Sequence, residues 1–514
     1  MGTPLETELK LRVPESAGEA LRRAAELRSA SLRTVQLDAT YFDTASGLLQ
    51  QNGMALRLRH IGRDWVQTLK AAAAGRGGLS TRPEWEAPAT LRHGVPRIDL
   101  SRLRDTPLPA LLARHRATRK LVPVFRTRFA RTLWEIEFKA SRIEIALDRG
   151  RIETKVAGRR VVEPIAELEL ELKEGRPEDL VALALRLAGR GTRGLALVPL
   201  VRSKAERGHR LAAGAPPAPT KASARGFVDQ LKRDMSCGAA LRAIMAHGLS
   251  VLLANTEVLH DAHDPEFVHQ ARVALRRMRS ALRLLDRRHT DFPESLAKEL
   301  RWVGQTLGAA RDWDVLIEST LPAIVTATPA ARRARMRALL GRARRRRDQE
   351  HGKAVAALSS ARFARLVLRL QAWTLTPAPK GRRLARIAPR VLARAHARLF
   401  DAAQFFAALS PERRHRVRIL AKRLRYSLDV MSVALPVEVT ERYVEALAEL
   451  QDVLGELNDA TVAQAFLGEL AGRGPQPDAA LMWLAEREQQ LSVQAEERLP
   501  ALAQRERPWP GQRA

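Results

Sequence analysis

The chain has 514 residues, of which 45% are hydrophobic and 28% charged, so it can fill more than one hydrophobic core and does not have the composition of a disordered protein. Lysine and arginine number 88 against 57 aspartates and glutamates, and the resulting charge of +31 favours a polyanionic partner without identifying it. The single cysteine, Cys237, excludes an intramolecular disulfide and a cysteine-based zinc site. The first ten residues lack the apolar core of a secretory signal, and we expect a soluble, cytoplasmic protein.

The first 210 residues contain short segments in which apolar and charged residues alternate, such as 6–13, 55–59, 142–148 and 167–173. Alternation with a period of two predicts β-strands that have one apolar and one polar face. Several of these polar faces are purely charged, and they carry both signs. This pattern favours a closed barrel with a polar lumen, whose apolar outer face packs against helices near 15–29 and 177–189.

The pattern changes after a segment rich in proline and alanine, which is typical of a linker. From about residue 226 the apolar residues recur with helical spacing, and this predicts an all-α second domain. We therefore expect a barrel domain over 1–210, a linker over 211–224, a helical domain over 225–502 and a flexible tail over 503–514.

An internal repeat lies within the helical half. The pattern H-x-x-R-x-x-x-[RK]-R-x-R occurs at 269–279 and again at 415–425, and each copy is followed by a Leu-Gly pair and an aspartate. The offset from histidine to aspartate is 43 residues in the first copy and 44 in the second. This agreement predicts a duplicated helical bundle.

The charges on the predicted barrel strands suggest a binding site. Glu6, Glu8 and Lys10 lie two residues apart, so they project from one face of a strand. One such strand could be a solvated edge, but Arg57 and Arg59 repeat the arrangement with positive charge. Carboxylates that hold Mg²⁺ or Mn²⁺, together with cations that neutralise phosphate oxygens, would suit a metal–polyphosphate complex.

The N-terminal motifs, taken in order, resemble the CYTH domain of the triphosphate tunnel metalloenzymes. They are E-x-E-x-K at 6–10, YFDT at 41–44, LRLR at 56–59, TLK at 68–70, RPEWE at 82–86 and AELELEL at 166–172. The resemblance implies an α+β unit with an eight-stranded antiparallel tunnel, which binds a triphosphate with divalent cations and hydrolyses its terminal phosphoanhydride.

The resemblance also implies roles for individual residues. Metal would be held by Glu6, Glu8, Glu169 and Glu171, with Asp148 and Glu86 as further candidates. Glu167 could replace one of the pair in 167–171, and Glu144 could replace Asp148. A second metal ion or Lys10 would orient the attacking water, and Lys10 and Glu8 are the candidate catalytic residues. Phosphate would be held by Lys10, Arg57, Arg59, Lys70, Arg126, Arg128 and Lys204.

The repeated motif places four of its basic residues on one face of each predicted helix, and these are His269, Arg272, Arg276 and Arg279 in the first copy and His415, Arg418, Lys422 and Arg425 in the second. A solvated cationic face would have the same spacing, but repetition with histidine in the same first position favours a groove. No histidine or carboxylate follows His269 or His415 by four residues, which argues against a metal site there.

The repeat resembles the CHAD domain, a helical domain with a conserved histidine that is associated with polyphosphate. The resemblance implies that polyphosphate is held by His269, Arg272, Arg276, Arg277, Arg279, His415, Arg418, Lys422, Arg423 and Arg425.

The sequence thus predicts a metal-dependent triphosphatase for inorganic tripolyphosphate, coupled to a polyphosphate-binding module. An alternative is a non-catalytic protein that binds polyphosphate granules. Nucleic-acid binding is a third possibility, which the low aromatic content of 4% disfavours, and adenylyl cyclase activity is a fourth. We expect no membrane partner.

Overall fold

The structure is a computed structural model that describes residues 4–510 apart from 63, 73, 94, 118–119, 190–193, 260–263, 286–289, 329–332 and 472–477. The chain divides into two compact units. Unit 1 consists of Met1–Pro219, Thr256–Ala262 and Ser359–Leu375. Unit 2 consists of Thr220–Asn255, His263–Leu358 and Thr376–Ala514.

The strands belong to unit 1. In chain order, β1 to β12 are Leu5–Arg12, Leu32–Thr44, Ala55–Ile61, Asp64–Lys70, Ala74–Arg76, Leu79–Pro88, Thr90–Arg92, Val95–Arg97, Leu121–Phe138, Ser141–Val156, Arg159–Glu174 and Val198–Pro199. Eight of them close an antiparallel barrel in the order β1-β11-β10-β9-β2-β3-β4-β6, because β1 pairs with both β11 and β6. The predicted eight-stranded antiparallel barrel is confirmed.

The helices are numbered along the whole chain. In chain order, α1 to α16 are Ala17–Arg23, Leu48–Gln51, Leu108–Arg114, Pro177–Leu187, Lys204–Ala212, Ala224–Val228, Cys237–Thr256, Glu266–Leu284, Glu294–Val315, Leu321–Ala327, Arg333–Leu358, Ala361–Leu375, Leu384–Ala402, Pro411–Met431, Val437–Ala471 and Asp478–Gln504. A π-helical turn at Leu316–Thr320 joins α9 to α10.

Alternation along the strands separates the two surfaces of the barrel. Leu9 and Leu11 of β1 are fully buried in a core outside the barrel, with Ile145 of β10 and Leu168 of β11. Helices α1 and α4 cover this core with their apolar faces. Charged residues at the intervening positions of the same strands are directed into the barrel, since successive side chains point to opposite faces.

Helix α12 completes the core of unit 1. Its Leu368 is fully buried in the same cluster as Leu180 of α4. The sequence placed 225–502 in one helical domain, whereas the structure assigns 359–375 to the barrel unit. An amphipathic helix identifies its apolar face but not the surface that covers it, so the sequence pattern did not reveal this assignment.

The described part of unit 2 is helical, apart from a single β-bridge between Ser236 and Arg383, and the predicted all-α duplicated bundle is confirmed. Helix α8, which carries the first copy of the motif, packs on α9, and α14, which carries the second, packs on α15. Helices α8 and α14 also contact each other. The two basic motifs therefore lie on neighbouring helices.

Helix α7 is the most apolar long helix that the structure describes. Its 20 residues would be long and apolar enough to cross a membrane, with a mean hydropathy of 1.6 in the most apolar window. However, 78% of that window is buried inside the protein, as in the central helix of a bundle. Length and composition alone are weak grounds for a membrane span.

The C-terminal segment differs from the expected flexible tail. Helix α16 continues to Gln504, and Trp509 is only 3% exposed. The Trp509 ring packs at its edge against Tyr443 and His396, with ring centroids 5.4 and 5.7 Å apart. A large aromatic side chain that buries this much surface stabilises the described segment up to residue 510 on unit 2. Residues 511–514 of the expected tail lie outside the described residues.

Candidate functional site

A cavity of about 810 Å³ occupies the barrel of unit 1, which we call the tunnel. Its walls are formed by every second residue of the barrel strands and by the N-terminal end of α5. The charged residues that line it are Glu6, Lys10, Arg57, Arg59, Lys70, Arg82, Glu84, Glu86, Arg131, Glu144, Glu169, Glu171, Lys173, Lys204 and Glu206. The tunnel thus combines both charge signs in an enclosed space.

Cations and carboxylates alternate along one wall of the tunnel. The Nζ atom of Lys70 lies 2.6 Å from Oε2 of Glu6 and 3.2 Å from Oε1 of Glu84. Arg82 contacts both Glu6 and Glu8 through its guanidinium group. Although burial alone would raise it, Lys70 and Arg82 hold the pKa of Glu6 far below its usual range. These contacts fix the two cations in position.

A second group of charges lies deeper in the tunnel around Lys204. Its Nζ atom lies 2.9 Å from Asp148, 2.7 Å from Glu167 and 2.8 Å from Glu169. Arg131 donates to the same Asp148 carboxylate at 2.6 Å. Burial opposes ionisation of Glu169, but Lys204 and Arg131 hold its pKa well below the usual range. Two cations and three carboxylates are therefore tightly paired in this part of the tunnel.

Helix α5 places Lys204 inside the barrel. Ser203 caps the helix by accepting from the backbone N–H of Glu206, whose side chain accepts from the N–H of Ser203 in return. Gly208 lies directly on the ring of Phe125 in β9, and a β-carbon at this position would overlap that ring. The glycine therefore allows the helix to sit close enough for Lys204 to reach the carboxylates.

His209 follows on the same helix and lines the tunnel at 5% exposure. Its ring packs edge-on against Phe125, with centroids 5.2 Å apart. Burial lowers the pKa of His209, which outweighs the opposing effect of Asp43. The imidazole is therefore neutral near pH 7.

Four carboxylates on the tunnel wall repel one another. Burial and the charge of Glu6 raise the pKa of Glu84, and burial together with Glu6 and Glu144 raises the pKa of Glu171. Carboxylate oxygens of this kind are the ligands that Mg²⁺ and Mn²⁺ prefer. Within the described residues, no three acidic, histidine or cysteine side chains already converge on one point as metal ligands do. The donor set fits a divalent cation, provided that carboxylates turn away from their lysine and arginine partners.

Two arginines of β3 extend this wall, because β3 pairs with β4, which carries Lys70, and Arg57 lies 3.8 Å from Glu84. Arg57 donates to the hydroxyl of Tyr41 at 3.4 Å, and Arg59 lies 2.8 Å from Glu86. The charge of Arg57, together with burial, lowers the pKa of Arg59 to about 10. An anion beside Arg57 and Arg59 would relieve the repulsion between their guanidinium groups. Phosphate oxygens can accept charge-assisted hydrogen bonds from both groups.

The structure brings most of the predicted tunnel residues together. The cavity is lined by Glu6, Lys10, Arg57, Arg59, Lys70, Glu86, Glu169, Glu171 and Lys204. Glu8 and Asp148, at 2% and 0% exposure, do not line the cavity but contact Lys10 and Lys204 respectively. They hold the basic side chains in place.

Arg126 and Arg128 are placed differently from the prediction. They lie on the outer face of β9, where both pair with Asp38, and their side chains are 41% and 42% exposed. Arg131, which shares the parity of Phe129, enters the tunnel instead. The motif gave no register for β9, and a shift of one residue moves a strand's side chains to the other face.

Sequence reasoning also did not assign Arg82, Glu84 and Lys173 to the site, although all three line the tunnel. Arg82 and Glu84 stand four and two residues before the predicted Glu86, so the alternation of β6 could have identified them. Lys173 follows Glu171 by two residues and donates to it at 2.6 Å.

The helical unit brings four residues of the two motifs together. We call Arg272, Arg276, Arg418 and Lys422 the motif cluster. Burial and the charges of Arg418 and Arg276 lower the pKa of Lys422 to about 7. Asp312 lies 3.2 Å from Arg272, and Asp459 lies 4.0 Å from Arg418. Two aspartates thus face four basic groups, and the cluster carries excess positive charge.

The remaining motif residues have other surroundings. His269 is half-buried, and burial and Arg311 lower its pKa, whereas His415 is exposed and contacts the Asn458 side chain at 2.6 Å. Arg277 and Arg425 both bind Asp429, at 2.6 and 3.3 Å. The latter pair has a structural role between α8 and α14.

Arg279 and Arg423 lie outside both groups. Each is close enough to Arg283 to help lower the pKa of that guanidinium to about 10, after the larger effect of burial. The predicted polyphosphate-binding residues thus separate into the motif cluster, two arginines held by Asp429, two arginines near Arg283, and the two histidines.

Comparison with known proteins gives a match for each part of the chain. The CYTH domain model matches residues 4–188, and the CHAD domain model matches residues 243–468. An inorganic triphosphatase of Haemophilus influenzae is 34% identical over 176 residues, which cover 34% of this chain and 47% of that relative. The chain thus spans about half the length of this relative.

Two further proteins are similar over a larger share of this chain. An uncharacterized protein of Mycobacterium tuberculosis is 28% identical over 501 residues, which cover 90% of this chain and 88% of the relative. The crystal structure of the CHAD domain from the plant Ricinus communis has 34% sequence identity and a TM-score of 0.46, and the match covers 56% of this chain and 96% of that one.

Proposed function

We propose, from the premise that this chain joins a CYTH domain to a CHAD domain, that unit 1 is a divalent-metal-dependent triphosphatase acting on inorganic tripolyphosphate. The reaction is hydrolysis of the terminal phosphoanhydride. The observation that carries the proposal is the tunnel itself, in which a closed barrel surrounds cations and carboxylates in a cavity of about 810 Å³. The name of the Haemophilus influenzae relative supports the same activity for the barrel.

The basic side chains of the tunnel would bind and orient the substrate. Arg57, Arg59 and Lys70 neutralise phosphate oxygens along one wall, and Lys204 does so at the base of the cavity. Each is already held by a carboxylate or a phenol, so little side-chain entropy is lost when phosphate binds. Positioning of this kind supplies most of the rate in phosphoryl transfer.

Mg²⁺ or Mn²⁺ would be held by the four carboxylates that repel one another, which are Glu6, Glu84, Glu144 and Glu171. The cation would supply charge stabilisation of the phosphate oxygens and would lower the pKa of a bound water. Lys10, fixed by Glu8 at 2.6 Å, lines the same cavity and can donate a hydrogen bond to the attacking water or to phosphate. No nucleophilic side chain is required for direct attack by water.

Unit 2 would bind inorganic polyphosphate through the motif cluster. The cluster has four basic groups and two aspartates, so it carries excess positive charge that can bind a polyanion. Polyphosphate is the polyanion we propose, because it has the same chemistry as the triphosphate proposed for unit 1. This proposal places the protein in the cytoplasm, on polyphosphate granules where these are present.

The test is phosphate release by the full chain with Mg²⁺ or Mn²⁺. The substrates are tripolyphosphate, long-chain polyphosphate, nucleoside triphosphates and thiamine triphosphate. We expect metal-dependent release that is fastest from tripolyphosphate. Binding of polyphosphate without turnover of any substrate would instead make the protein a non-catalytic granule binder, and formation of cyclic AMP from ATP would make it a cyclase.

A further inference from the structure

A second basic surface lies in unit 2, apart from the motif cluster. Arginines recur every four residues at 386, 390, 394 and 398 along α13, and Arg382 continues the row before the helix begins. Residues four apart are neighbours on a helix surface, so this row follows one ridge that winds gradually round α13. All five side chains are exposed.

The row forms one wall of a groove of about 700 Å³, which we call the arginine groove. Arg283 of α8 and Arg423 of α14 stand on its other side, and Leu420 and Ile387 contribute apolar surface. A solvated cationic face would be convex, whereas here seven arginines from three parts of the chain face one open cavity.

The groove differs from the motif cluster in its charge balance. Among the described residues that line it, none is acidic. The motif cluster, in contrast, has Asp312 and Asp459. The unbalanced charge also lowers the pKa of Arg283 to about 10, after burial and through Arg423, Arg279 and Arg301.

We propose that the arginine groove is a second polyanion site, which binds a further stretch of an inorganic polyphosphate chain that is also held by the motif cluster. From Arg386 to Arg398 the row extends for twelve residues, or about 18 Å along a helix. Tripolyphosphate has only three phosphate groups and is too short to span this row. A long chain engages both the row and the motif cluster, and the second contact then forms at high effective concentration.

The lining chemistry favours polyphosphate over single-stranded nucleic acid. Proteins that bind single strands place aromatic side chains against the bases. The described residues of the groove are arginine, serine and aliphatic residues, and no aromatic ring is among them. A ligand that consists of phosphate alone needs no such platform.

This inference rests on the proposed polyphosphate binding of unit 2, and it adds chain-length selection. The test compares two charge reversals of the full chain by anisotropy with end-labelled long-chain polyphosphate, and by competition with tripolyphosphate. The groove variant is R386E/R390E/R394E. The matched control is R342E/R344E/R345E, which makes the same change in net charge at exposed positions of the arginine-rich helix α11.

We expect the groove variant to bind long chains at least tenfold more weakly than the control, with tripolyphosphate affinity equal in the two. The dependence of log affinity on log salt should also become shallower by about 2 in the groove variant, as expected for three lost phosphate contacts by analogy with single-stranded nucleic acid. R386Q/R390Q/R394Q should show a smaller loss in the same direction, and it guards against misfolding of the charge-reversed protein.

Equal affinities of the groove variant and the control would overturn the inference. If charge reversal at Arg276 and Lys422 then abolished binding, the motif cluster alone would hold the chain and the proposed function would stand. If neither change affected binding, polyphosphate binding by unit 2 would itself be wrong. A preference for single-stranded DNA that is lost in the groove variant would make the groove a nucleic-acid site, which also overturns the proposal.

Discussion

At Lys422, burial and the neighbouring cations Arg418 and Arg276 act on one ammonium group and lower its pKa to about 7. The pKa in the unfolded chain is the ordinary value of 10.5. Between about pH 7 and 10.5, Lys422 is therefore protonated in the unfolded chain but largely neutral in the folded one. The contribution of Lys422 to the free energy of unfolding thus rises with pH across that window. A bound phosphate would raise the pKa of Lys422 again, because a nearby negative charge favours the charged ammonium form.

This predicts pH-dependent binding. Above pH 7, a polyphosphate that binds beside Lys422 must be accompanied by proton uptake, so affinity should fall by up to about tenfold per pH unit between pH 7 and 8.5. Lys422→Arg should flatten this dependence, since the guanidinium stays charged. Isothermal titration in buffers of different ionisation enthalpy would measure the proton uptake directly. An unchanged pH profile in the variant would assign the effect to another group.

Glu171 supplies a second prediction at this scale. Its pKa is raised by burial and by Glu6 and Glu144, and a metal ion would relieve this repulsion. Glu171→Gln should therefore raise the Mn²⁺ concentration for half-maximal hydrolysis at least tenfold. Glu153→Gln, a control outside the tunnel whose carboxylate contacts Arg128 and Arg160, should leave it unchanged. Equal metal dependence in both variants would remove Glu171 from the metal site.

At the scale of elements, α12 belongs to the core of the barrel unit. Leu368 is fully buried there, and truncation of a buried leucine typically costs about 2–5 kcal/mol. Leu368→Ala should therefore lower the temperature at which tripolyphosphate hydrolysis is lost on heating. The exposed Val493→Ala is the control. A variant that is as heat-resistant as the control would show that α12 does not stabilise the barrel unit.

The strands could be predicted from the sequence wherever apolar and charged side chains alternate within the strand itself. Alternation in β1, β3 and β11 identified Glu6, Arg57 and Glu169 as residues of one lumen, since the period of two is a local property. The register of β9 was not defined in this way, so Arg126 and Arg128 were assigned to the lumen in place of Arg131. The position of α12 depends on long-range packing, which a helical pattern does not encode.

At the scale of the whole molecule, the charge of +31 is distributed between two different kinds of site. In the tunnel, carboxylates accompany the cations, whereas the arginine groove has no acidic residue among its described lining. The tunnel of unit 1 therefore suits a phosphate ligand with a bound metal ion, and the arginine groove of unit 2 suits a phosphate ligand without one.

Metal removal should separate the two units. We expect a chelator to abolish phosphate release from tripolyphosphate without weakening polyphosphate binding, because the latter uses arginine and lysine alone. Addition of Mn²⁺ in excess over the chelator should restore release, which controls for damage to the protein. Loss of polyphosphate binding with the chelator, recovered with the metal, would show that unit 2 also depends on a cation.

The discontinuous composition of unit 1 also bears on how the protein is made. The barrel strands end at Pro199, but Leu368 is synthesised well over a hundred residues later. On the ribosome, the nascent barrel must therefore wait for α12 with part of its outer apolar surface uncovered, while the first helices of unit 2 emerge. Exposed surface of this kind invites misassembly in multidomain chains. Premature termination between residues 219 and 359 would leave a barrel with its strands complete and its core open.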